Sequence, residues 1–105
     1  MSASIYAQAN GLKLHSENDA LDVLGSGLPA CIFTAEDLHP EFFDLANQIA
    51  GNVMQKFVNY NFKVAFVVPD DHSYGERVTE LMRDHARHPC IRFFATAEQA
   101  EAWLS

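Results

Sequence analysis

Asp70-Asp71-His72-Ser73 sets two carboxylates, an imidazole and a hydroxyl in four consecutive positions. That combination can hold a divalent metal or supply an acid and a base, since histidine titrates near neutrality and a neighbouring aspartate stabilises its charged form. The tetrapeptide follows an apolar run, Val64 to Val68 ended by Pro69, and ligands of open parallel sheets collect beyond the carboxyl ends of strands. A plainer role competes, because acidic residues ahead of a helix complement its positive end and Ser73-Tyr74-Gly75-Glu76 reads as a capping box. Glu36, Asp37 and His39, beyond the preceding apolar run, complete such a crevice if the two strands are neighbours, although Thr34 also fits as the cap of a turn at Asp37.

His85, His88 and Cys90 form a second string, His-x-x-His-x-Cys. Zinc accepts both imidazole and thiolate, but a fourth ligand is missing nearby and Pro89 separates the histidines from the cysteine. Arg83, His85, Arg87 and His88 read more simply as a cationic helix end, so no metal, cofactor or catalytic residue is assigned. Gln55, Lys56 and Asn59 share a polar helix face. With the apolar Met54 and Val58 they form a candidate partner-binding surface.

The elements that position these residues follow from pattern. Asn10-Gly11 between Ile5–Gln8 and Leu12–His15 predicts a tight β-hairpin. A short helix over Asp19–Leu24 ends at Gly25-Ser26-Gly27, a sequence suited to a left-handed cap. Ala30–Phe33 and Val64–Val68 are continuous apolar runs, as in strands covered on both faces. Between them a long helix is expected from Pro40 to about Tyr60, its sheet-facing stripe being Phe42, Ala46, Ile49, Val53 and Phe57. Phe43, Met54 and Val58 fall outside that stripe and suggest a second contact. Gly51, with Ala46 and Ala50, suggests close approach of another backbone, because glycine in a helix costs about 1 kcal/mol relative to alanine. A third helix over Ser73–His85, an edge strand Cys90–Phe94 interrupted by Arg92, and a last helix opened by Thr96-Ala97-Glu98-Gln99 complete a β-β-α-β-α-β-α-β-α order. Such alternation favours a mostly parallel sheet in an α/β domain.

Length and charge bound the rest. A chain of 105 residues with 49% hydrophobic content is one domain, 1–105. Fourteen acidic against seven basic residues give a net charge of −7, and charging all five histidines leaves it negative. Neither nucleic acid nor an anionic membrane is expected as a partner. No apolar run reaches the roughly 20 residues of a membrane span, and the start lacks the pattern of a signal peptide, so a cytoplasmic location is expected. Cys31 and Cys90 are expected on strands separated by a third, roughly 9 to 10 Å apart and beyond disulfide reach.

This layout resembles the STAS domains of bacterial anti-sigma factor antagonists: hairpin, short helix, apolar strand followed by Ala35-Glu36-Asp37-Leu38, long helix, strand, helix, edge strand, helix. Those antagonists are switched by phosphorylation of a serine ahead of the long helix, where this chain has His39-Pro40-Glu41-Phe42-Phe43-Asp44 and no hydroxyl. The chain is also similar to a small bacterial family known as a domain of unknown function. The shared signature is Phe42-Phe43-Asp44-Leu45, then Ala50-Gly51, then Gln55-Lys56-Phe57-Val58-Asn59-Tyr60. The resemblance to STAS domains implies a non-catalytic protein-interaction or regulatory module, and the second apolar contact suggests self-association as a homodimer. The rival is a small-ligand- or metal-binding domain, or a hydrolytic enzyme, using Asp70, Asp71, His72 and Ser73.

Overall fold

The structure is a computed structural model that describes residues 5–44, 48–69 and 71–104. Its elements are α1 (Glu17–Leu24), β1 (Ala30–Thr34), α2 (Ile49–Asn59), β2 (Lys63–Val67), α3 (Glu76–Asp84), β3 (Ile91–Phe94) and α4 (Ala97–Leu104). The three strands form a parallel sheet in the order β1-β2-β3, with Cys31 opposite Val64 and Val64 opposite Ile91. The α/β class and the parallel sheet thus agree with the sequence pattern.

Alternation along each strand divides the molecule into two cores. Cys31 and Phe33, Val64 and Phe66, and Ile91 and Phe93 point into the larger one with α1, α2 and Val78 of α3. Ile32 and Ala65 point the other way, against Ala100 and Trp103 of α4. Both faces are therefore covered, which is why these strands carry apolar runs without alternating polar positions. Arg92, the charge on the edge strand, is half-buried. Its guanidinium lies 4.9 Å from the centre of the Trp103 ring, and Lys63 Nζ lies 5.7 Å from it.

The N-terminal hairpin is absent from the described residues. Gln8–Asn10 is a single 3₁₀ turn, and Gly11 closes it in the left-handed conformation with φ of 69°. Tyr6 instead pairs in parallel with Ile32, and Leu14 pairs in parallel with Leu38. The dipeptide Asn10-Gly11 does turn the chain, but Ile5–Ala7 finds better partners along the outer edge of β1. Ile32 N–H donates to Ile5 O at 2.8 Å and Ala7 N–H to Ile32 O at 2.9 Å. A local turn preference has yielded to an edge that needed covering.

The long helix divides. Pro40–Phe43 is a 3₁₀ turn and α2 begins at Ile49. Ala46, expected in the apolar stripe, lies outside the described residues. Phe43 and Met54 are buried in the large core, so the expected second apolar face of this region reduces to Val58. α2 ends in a Schellman motif: Asn61 takes the left-handed position, its N–H bonds Val58 O at 3.0 Å, and Phe62 N–H bonds Phe57 O at 2.9 Å. The Phe57 and Phe62 rings add the accompanying apolar contact.

Two cap expectations and one of close approach are corrected. Gly25 closes α1 with φ of −83°, an ordinary right-handed value. α3 begins at Glu76, three residues later than expected, with Gly75 rather than Ser73 ahead of it, and no side chain caps it. The crowded loop before it uses the His72 ring for backbone bonding instead. A Cβ placed on Gly51 would meet nothing within 4 Å, so among the described residues no backbone of this chain approaches it. The box at α4 is present: Gln99 Oε1 accepts from Thr96 N–H, and Thr96 Oγ1 accepts from Gln99 N–H, each at 3.3 Å.

Candidate functional site

Both crossover loops that leave the carboxyl ends of β1 and β2 meet at an open cleft. Its walls are Pro40, Phe43 and Asp44 from the first loop and Tyr74, Gly75, Glu76 and Arg77 from the second, bordering a solvent-open space of about 450 Å³. Proline at the first position of the 3₁₀ turn fixes the direction of the chain, and burial of Phe42 and Phe43 anchors the turn to the core. From the other side Tyr74 lies flat on Phe43, with ring centres 3.7 Å apart and planes 5° from parallel. Gly75 has φ of 100°, which lets the chain turn abruptly into α3. Arg77, Glu76 and Asp44 place charges of both signs on the same rim.

His72 sets the posture of this second loop. Its Nδ1 accepts from Tyr74 N–H at 3.1 Å, and its Nε2 lies 3.0 Å from Thr79 Oγ1 on α3. A ring that accepts at Nδ1 carries its proton at Nε2, so Nε2–H donates to the threonine. Both nitrogens are engaged, and the ring also lies beside that of Tyr74. His72 therefore holds the loop in place, and Asp71 and Ser73 are exposed around it. Asp70 lies outside the described residues.

Asp37 is buried, and its Oδ2 accepts from both the N–H and the hydroxyl of Thr34, at 2.9 and 3.0 Å. The turn-capping role accounts for it fully. His39 has another neighbour. Among the described residues one group brings three potential metal-ligating atoms within 4.8 Å of one another: His15, His39 and Glu41. The two imidazoles stack at 3.8 Å, and Glu41 Oε1 lies 3.2 Å from His15 Nε2.

The other sequence candidates separate. His88 Nδ1 accepts from the N–H groups of Cys90 and Ile91, both at 3.0 Å. It shapes the entry to β3, and burial, then His85 and Arg92, hold its pKa below the usual histidine value. His85 Nδ1 is 2.8 Å from Leu81 O, and the Cys90 thiol donates to Asn61 Oδ1 at 3.3 Å. Cys31 and Cys90 are free and buried, on either side of β2. On α2, Gln55 Nε2 donates to Asn59 Oδ1 at 2.8 Å, and Lys56 reaches Glu17 of α1 at 3.9 Å. Val58 beside them is 37% exposed, whereas Met54 is 6% exposed and belongs to the core rather than to an outward face.

A family model for a domain of unknown function, DUF4180, matches residues 2–104. The chain belongs to the DUF4180 family. No curated protein matches it, and no solved structure does. Within this DUF4180 domain, no helix among the described residues is long and apolar enough to cross a membrane. Sequence reasoning found the loop after β2 but missed Pro40, Phe43, Tyr74 and Arg77 as its lining. A proline and two aromatics in apolar company carry no signature of a cleft, and only the stacking of the two loops makes one.

Proposed function

We propose that this DUF4180 domain is a non-catalytic small-ligand-binding module whose ligand seats between the two crossover loops. The carrying observation is the Phe43–Tyr74 stack, which joins the loops into a preformed wall beneath a cleft of about 450 Å³. Ligand sites fall in the range of about 300–1,000 Å³ and combine apolar walls with a few polar groups. The rim suits a small zwitterionic or amphipathic metabolite: Arg77 for an anionic group, Glu76 and Asp44 for a cationic or hydroxyl group, and the Tyr74 ring for an apolar part. His72 serves as a positioning residue for Tyr74. This reading keeps the neighbourhood of Asp71, His72 and Ser73 as functional and moves the contacts themselves onto the adjoining residues. Burial of Phe43 and Met54 reduces to Val58 the apolar excess that argued for self-association through α2.

Thermal unfolding in the presence of a metabolite collection tests it. A ligand at 100 times its Kd adds about 2.7 kcal/mol, a readily measured rise in Tm. We expect at least one zwitterionic compound to raise Tm, and Arg77→Glu, an exposed change, to remove the rise while leaving the unliganded Tm in place. A stabilising compound that is indifferent to Arg77→Glu would place the site elsewhere.

A further inference from the structure

We infer that His15, His39 and Glu41 form a surface site for a borderline divalent transition cation of the zinc class, independent of any ligand in the cleft. The pairing of Leu14 with Leu38 creates it. Leu14 N–H donates to Asp37 O at 3.0 Å and His39 N–H to Leu14 O at 2.9 Å, so two segments run side by side in parallel. Leu14 and Leu38 are both buried. Side chains alternate along extended backbone, so the residue after each leucine points outward, and both residues are histidines. Their stacking at 3.8 Å follows directly from that register. Pro40 then starts the 3₁₀ turn that carries Glu41, which brings Oε1 to 3.2 Å from His15 Nε2 and 3.8 Å from His39 Nδ1.

The His15 Nε2–Glu41 Oε1 separation matches a chelate, while His39 Nδ1 already accepts from the Glu41 N–H at 3.2 Å, so His39 ligates through Nε2. Ligands about 2.0–2.1 Å from zinc at tetrahedral angles lie about 3.3 Å from one another. The three side chains are drawn from segments that the fold has already juxtaposed, so little chain entropy remains to be lost. Two imidazoles with one carboxylate favour zinc, cobalt, nickel or copper over calcium or magnesium, which prefer all-oxygen shells. Three protein ligands leave a fourth position for water. The net charge of −7 also favours cation capture. Binding requires one change: rings only 18° from parallel cannot both aim a lone pair at a single point, so the stack must open. Both histidines are exposed, so the His15 ring can turn away while His39 Nδ1 keeps the Glu41 N–H that caps the turn.

Titration of untagged, metal-free protein with Zn²⁺ by calorimetry, and with Co²⁺ by visible absorption, tests the site at pH 7.5. We expect one ion per chain and a loss of at least tenfold in affinity for His15→Ala and for Glu41→Gln, each with an unchanged circular dichroism spectrum. Neither variant removes the Nδ1 contact by which His39 caps the turn. His85→Ala, away from the trio, should bind as the parent does. Absence of binding at 1 mM ion, a smaller loss in both trio variants, or a tenfold loss in His85→Ala overturns the assignment. Because Arg77 takes no part, Arg77→Glu should leave Zn²⁺ affinity intact, which separates failure of this site from failure of the cleft.

Discussion

The Cys31 thiol and the Tyr6 phenol hold their protons more tightly in the folded chain than in the unfolded one. Burial pushes Cys31 up to about 12, and Tyr6 reaches about 12 chiefly because its hydroxyl donates to Glu101 Oε1 at 2.6 Å. A group whose folded pKa is raised stabilises the fold fully below its unfolded pKa and loses that contribution as pH rises through the folded value. The unfolded values are about 9 and 10, so stability should hold to about pH 9 and fall toward pH 12. Urea midpoints between pH 8 and 11.5 check this, and Tyr6→Phe should flatten the upper part of the decline. Gly51 offers a simpler test. It sits within α2 with open space at the Cβ position and no positive φ. Gly51→Ala should raise stability by about 1 kcal/mol, read as a higher urea midpoint at constant slope. At this scale the sequence was informative about single residues with local roles, such as Thr34 capping at Asp37. It was silent about His15, whose chemistry depends on a residue 24 positions away.

α2 shows how an amphipathic pattern misleads when a helix is shorter than its pattern suggests. The stripe assumed continuous helical phase from Pro40 onward, but Pro40–Phe43 and Ile49–Asn59 are separate elements. Phase is not carried across such a break. Phe43 therefore faces the core, and Met54 lies with Val53, Ala50 and Phe57 on the buried side. Met54→Asp should cost about 3–4 kcal/mol, the scale of an unpaired buried charge, whereas Val58→Asp should change stability by about 1 kcal/mol at most. Equal effects in thermal unfolding would contradict the assigned orientation of α2. The strands were legible because a short, continuous apolar run bounded by turn residues has the length and composition of a strand covered on both faces. The hairpin was misread because Asn-Gly signals a turn without saying which partner the following segment will choose.

For the molecule as a whole, Ile5–Ala7, β1, β2 and β3 run parallel in chain order, with α1, α2 and α3 packed on one sheet face and α4 on the other. Successive crossovers on one side create no reversal of winding, so the cleft arises from the stacked loops and not from a switch point in the sheet. Among the described residues, β2 alone is paired along both edges by regular strands. Its amides at Val64, Ala65 and Phe66 should exchange hydrogen slowest, approaching the rate of global unfolding, while those at the outer edge of β3 exchange faster. Hydrogen exchange followed by mass spectrometry of proteolytic fragments reads this directly. Fold class and layer order were within reach of the sequence, since they rest on periodicity. The candidate sites were not, since each is assembled from loops whose mutual placement only the finished sheet determines.

The one-sided cover supplied by α4 has a consequence for synthesis. Ile32, Ala65, Val67 and Phe94 are all made before Ala100 and Trp103, the residues that shield them. A chain whose sheet forms before those residues can dock is sealed by α1, α2 and α3 on one side and apolar on the other. A stalled or prematurely terminated product ending before residue 97 would keep that surface bare, and so would present quality-control machinery with a nearly complete, sticky domain rather than an unfolded strand of chain.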